Sequence, residues 1–201
     1  MTDAVKTEKT EKKRSRASQI TGLAMLTAIV VILQFMGSFI RFGPFSVSLV
    51  LVPIVIGAAL YGPSAGAWLG FVFGWVVILS GDAAAFLAIT VPGTIITCLS
   101  KGILCGFASG WIFSLIEKKS ITAATAAAGG VSAIVNTGVF ILCCMAFFME
   151  TITGWAEAAG FENIGRYLVV GMVGINFLIE LGVNIVLGPM AIRLIRLLDK
   201  D

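Results

Sequence analysis

Two ionisable side chains, Lys101 and Glu180, stand inside long apolar runs. Holding either charge in a bilayer interior costs at least ~2–3 kcal/mol unless it is paired or wet, so both are expected to face the inside of a helix bundle. Asn176, Glu180 and Asn184 recur at i, i+4 and i+8, which places one polar stripe along a single helix face. Asn136 adds an amide in the preceding apolar run. Two chemistries are open to these groups. Lys101 and Glu180 can close as an internal ion pair bridged by the asparagines, or all of them can line a solute pocket. The two are compatible, because a lysine held by Glu180 still accepts an anionic solute group through a charge-assisted hydrogen bond.

Other chemistries lack their residues. The chain has no histidine, which removes the commonest general base and the commonest metal ligand. Cys98, Cys105, Cys143 and Cys144 have neither zinc-knuckle nor Cys-x-x-Cys spacing, and are expected to be buried apolar fillers. No metal or cofactor is expected. No phosphate-binding loop of the Gly-x-x-x-x-Gly-Lys-Ser/Thr type occurs, so the chain brings no nucleotide-hydrolysing engine. An enzyme acting on lipid would have Lys101 or Glu180 as its sole acid–base group; the chain is expected not to be an enzyme.

The elements that must position these groups are membrane spans. The 201 residues are 58% hydrophobic and 12% charged, with a mean hydropathy of +1.02. Soluble domains are roughly a quarter charged, so an all-α integral membrane protein is predicted. Residues 1–17 read as a basic, disordered tail, and 18–198 as one domain of six transmembrane helices. Ala17 to Ile40 is uncharged and long enough for the first span, and Phe42 to Gly81 is too long for one helix and must fold back at Gly62-Pro63. That gives spans near 46–61 and 64–80, with Pro53 able to kink the first of them. Val91-Pro92-Gly93 opens a fourth span ending before Glu117, a fifth runs over 121–149, and a sixth covers 167–192. Glu150 to Arg166 reads as a polar connection with Trp155 and Phe161 at the interface; Asp82 reads as a solvated loop residue. These runs lack the alternation of a transmembrane barrel.

Lysine and arginine fix the orientation. Eleven of the fourteen lie in the N-terminal tail, the 118–119 turn and the C-terminal tail, which puts both termini in the cytoplasm. Small residues predict the packing. Gly66, Gly70 and Gly74 face one way on the third span, and Gly102, Gly106 and Gly110 do so on the fourth, as expected for close helix contacts within the chain. Ala24 and Ala28 on the first span have the same spacing, and suit either an internal contact or a partner subunit. Arg41-Phe42-Gly43-Pro44-Phe45 joins the first two spans, either as a lid over an outward cavity or as a tight turn.

The chain resembles the substrate-binding S components of energy-coupling factor (ECF) vitamin transporters. The carrying residues are Leu23-Ala24-Met25-Leu26-Thr27-Ala28, Phe42-Gly43-Pro44-Phe45-Ser46-Val47-Ser48, Pro53-Ile54-Val55-Ile56-Gly57-Ala58, Tyr61-Gly62-Pro63-Ser64-Ala65-Gly66, Lys101-Gly102 and Asn136-Thr137-Gly138-Val139-Phe140. The resemblance implies a six-helix bundle that captures a water-soluble vitamin from outside for ATP-driven uptake, docked on a T transmembrane subunit with two ATPase subunits. It implies that Ala24 and Ala28 contact the T subunit. It also implies that Arg41, Phe42 and Phe45 belong to a loop covering the pocket, and that Lys101, Asn136, Asn176, Glu180 and Asn184 line it. A cation in that pocket favours a carboxylate such as pantothenate, with riboflavin, folate or cobalamin as other solutes. The alternative is a stand-alone channel or facilitator whose glycine-rich helices line a pore.

Overall fold

Gly62 and Pro63 break the long uncharged stretch where the sequence predicts. Gly62 has φ of +91°, a conformation that other residues rarely adopt, and Pro63 sits at the first turn of the helix that follows, where its missing N–H costs nothing. The turn joins α2 (Leu51–Tyr61) to α3 (Pro63–Leu79). The computed structural model describes residues 16–38, 41–42, 45–46, 49–174 and 177–182, with 41–42 and 45–46 described by backbone alone.

Before this turn, α1 (Arg16–Gly37) leads into a hairpin of β1 (Arg41–Phe42) and β2 (Phe45–Ser46), paired antiparallel with Arg41 opposite Ser46 and Phe42 opposite Phe45. After it come α4 (Ala84–Leu87), α5 (Val91–Ile116), α6 (Ile121–Phe147), α7 (Met149–Ala158) and α8 (Ile164–Arg166), then a π-helical stretch over Tyr167–Gly174 and helix again at 177–182. Side-chain caps fix three of these starts. Thr90 Oγ1 accepts from the Gly93 N–H at 3.5 Å, Ser120 Oγ from the Ala123 N–H at 3.3 Å, and Asn163 Oδ1 from the Arg166 N–H at 3.0 Å. The fold is an all-α membrane bundle, and α1, α5 and α6 are each long and apolar enough to cross a membrane.

Three sequence expectations change. The predicted span at 46–61 is the 11-residue α2, about 16 Å long, roughly half the hydrocarbon thickness. Pro53 falls in the first turn of α2, where proline removes no helical hydrogen bond, so it has no interior ladder to kink. The polar connection at 150–166 carries α7, whose Ile152 and Ala156 bury one face while Glu150 and Glu157 stay exposed.

The glycines of α3 and α5 meet directly. The two helices run antiparallel with Gly66 on Gly106, Gly70 on Gly102 and Gly74 on Cys98, so backbone rests on backbone. A methyl placed on Gly74 would stand 2.5 Å from the Cys98 carbonyl oxygen, and one on Gly110 would stand 2.7 Å from Pro63 Cα. These faces are filled by each other, not by a pore, which removes the feature on which the channel alternative stood. Around this seam, Leu26 and Val30 of α1, Ile54 of α2, Leu69 and Phe73 of α3 and Cys105 of α5 form one core cluster.

Candidate functional site

Close approach of α3 and α5 determines where Lys101 goes. Its neighbour Gly102 occupies the seam, so the lysine side chain leaves to one side, into the gap between α3 and α6. There its Nζ lies 5.3 Å from the centre of the Phe73 ring and 5.5 Å from that of Phe140. Ring faces attract a cation by roughly 1–2 kcal/mol when water is scarce, so the two phenylalanines hold the ammonium at a defined place without neutralising it.

Lys101, Asn136 and Glu180 line one cavity of about 700 Å³ of atom-free space, its open mouth included. Asn136 comes from α6 and is 5% exposed; Glu180 comes from helix 177–182 and is 1% exposed. The buried Oδ1 of Asn136 accepts no hydrogen bond among the described residues, and so is available to a donor in the cavity. The cavity lies in the half of the bundle nearer the C-terminal ends of α1, α3 and α6 and the start of α5. The β1–β2 hairpin follows α1 at this same end. The side chains of Arg41, Phe42 and Phe45, and the whole of Asn176 and Asn184, lie outside the described residues.

The cavity also uses residues that the sequence does not single out. Gln34 of α1 is 3% exposed and donates through Nε2 to Asp82 Oδ2 at 2.6 Å, and both side chains are on the cavity wall. Asp82 is therefore a wall residue, not the solvated loop residue expected: Gly81, at φ +81°, turns the chain after α3 so that the carboxylate points back toward α1. A lone amide near the end of an apolar run is a signal that would have found Gln34. Phe86 of α4 also lines the cavity and packs edge-on to Phe140, Phe148 and Trp155 at 5.7, 5.0 and 5.7 Å. Trp155 thus backs the cavity wall instead of standing alone as an interfacial aromatic. Only packing reveals this aromatic set, because phenylalanines are spread throughout the sequence.

Lys101, Asp82 and Glu180 all lie on the wall of this one cavity. Such an arrangement has the chemistry to bind and orient a polar organic solute.

On the outside of α1, Ala24 and Ala28 are exposed beside Met25, Ile29 and Ile32, while Leu26, Val30 and Gln34 turn inward. Among the described residues, neither alanine is buried in an internal helix contact. Compared with known proteins, residues 18–192 match the model of a family described as ECF transporter, substrate-specific component. No curated protein matches the chain.

Proposed function

Because the chain belongs to the family of ECF transporter substrate-specific components, we propose that the cavity around Lys101 is where this subunit holds a water-soluble vitamin, with pantothenate as the first candidate. Members of this family are solute-binding transporter subunits, not enzymes, and they work with a transmembrane T subunit and ATPases. The observation that carries the proposal is the Lys101 ammonium, fixed between Phe73 and Phe140 on the wall of the cavity. A carboxylate reaching it replaces its water by a charge-assisted contact. Asn136, together with Asn176, Glu180 and Asn184, then receives the solute's amide group, and Arg41, Phe42 and Phe45 close the mouth. The bias of lysine and arginine supports cytoplasmic termini in the cell membrane, so the mouth faces outward.

Mass spectrometry of small molecules released from the detergent-extracted protein is the direct test, and pantothenate is the expected mass. Riboflavin, folate or cobalamin in its place would keep the subunit function and replace the solute. No bound vitamin, and none taken up from a mixture of these four, would overturn the proposal.

Coupling supplies a second expected result. Exposed Ala24 and Ala28 suit close helix-to-helix docking on the T subunit, since only small side chains let backbones meet. Ala28→Trp should abolish co-purification with the T subunit and the two ATPase subunits while leaving pantothenate affinity unchanged. Persistent association in that variant would move the interface elsewhere. Liposomes holding the subunit alone should show no pantothenate flux; flux without the ATPases would restore the facilitator alternative.

A further inference from the structure

We infer that the Gln34–Asp82 pair is a second recognition pole of the cavity, taking a hydrogen-bond donor of the solute, a hydroxyl or an ammonium group, while Lys101 takes the solute's acid; this rests on the cavity being the solute site. The pair joins α1 to the turn after α3, 48 residues apart in the chain. Its 2.6 Å bond commits the Gln34 amide as a donor to Asp82 Oδ2 and so orients the carboxylate on the cavity wall. An ionised carboxylate only accepts, and an ammonium only donates. A solute that satisfies both poles therefore carries an acceptor at one end and a donor at the other.

The same wall carries apolar groups: Cys98, 5% exposed, and the rings of Phe73 and Phe86 line the cavity together with both poles. These suit a short hydrocarbon stretch of the solute. Donor recognition by a carboxylate gives selectivity, because a solute lacking the donor forgoes a charge-assisted hydrogen bond.

The test is a cycle of two protein forms and two probes: wild type and Asp82→Ala, with pantothenate and its dideoxy analogue, in which both hydroxyls are replaced by hydrogen. Equilibrium binding to the purified full-length protein should favour pantothenate over the analogue by about tenfold or more in wild type. Asp82→Ala should erase that preference, and Gln34→Leu should reduce it by releasing the carboxylate. An analogue with an amino group in place of the terminal hydroxyl separates the two donors: Asp82→Asn should weaken it more than it weakens pantothenate if the pole favours ammonium, and equally if it favours hydroxyl. Loss of the same factor for both probes of the cycle in Asp82→Ala would make the pair a structural tie and overturn the inference. So would a wild type that binds them equally. Pantothenate affinity untouched by Lys101→Met, with the Asp82 result as expected, would instead remove Lys101 from the site; binding of none of the probes to wild type would sink both proposals.

Discussion

Lys101→Met should lower pantothenate affinity by about 10- to 100-fold and leave the protein folded and monodisperse. The size follows from the bond that methionine cannot make: a hydrogen bond to a charged group contributes roughly 1.5–3 kcal/mol, and each 1.4 kcal/mol is about tenfold in affinity. The fold should survive because methionine keeps an unbranched chain in the slot between Phe73 and Phe140, and its sulfur packs well against ring edges. Removing the cation leaves Asp82 and Glu180 facing the cavity without it. The double variant Lys101→Met with Glu180→Leu therefore guards against a trivial loss of stability, since it also removes the Glu180 carboxylate, 1% exposed. Titration calorimetry with pantothenate and a melting curve in detergent separate the two effects. A double variant that melts normally and binds at full strength would show that the solute sits away from Lys101.

Lys101 and Glu180 were legible in the sequence because the bilayer makes charge expensive. A lysine within an apolar run has few places to go, and the structure brings it to one cavity with Glu180 and Asn136. The glycine rows were legible for a related reason: small residues four apart have little use in lipid except to let helices touch. Asp82 was not, because a carboxylate beside a glycine in a loop is normally solvated, and what turns it inward is the backbone geometry at Gly81 and a partner 48 residues away on α1. Nor was α7 legible as a wall element. Its apolar face is brief, and its value lies in Trp155 meeting Phe86, a contact between segments that local pattern does not encode. Pattern thus located the costly groups and the close contacts, while tertiary packing decided which cheap residues joined them.

Gly70→Leu should prevent the bundle from forming, with loss of a monodisperse species in detergent and loss of pantothenate binding together. An extra side chain in a packed core typically costs ~1–3 kcal/mol, because neighbouring side chains shift to make room. At Gly70 the neighbour is the Gly102 backbone carbonyl, which has no rotamer to change, so α3 and α5 must separate as units and the cost should exceed that range. Separation would also open the Gly66–Gly106 and Gly74–Cys98 contacts on either side. The site shares this fate, since α3 supplies Phe73 and α5 supplies Lys101, and the cation is held only while the two helices keep their spacing. Gly138→Leu on α6 is the matched control: among the described residues a Cβ there meets nothing within 4 Å, so melting and binding should stay near wild type. Gly70→Ala should fall between them, lowering the melting temperature while part of the protein still binds. If Gly70→Leu and Gly138→Leu melt and bind alike, α3 and α5 do not meet backbone to backbone, and the placement of Lys101 between its two rings loses its structural cause.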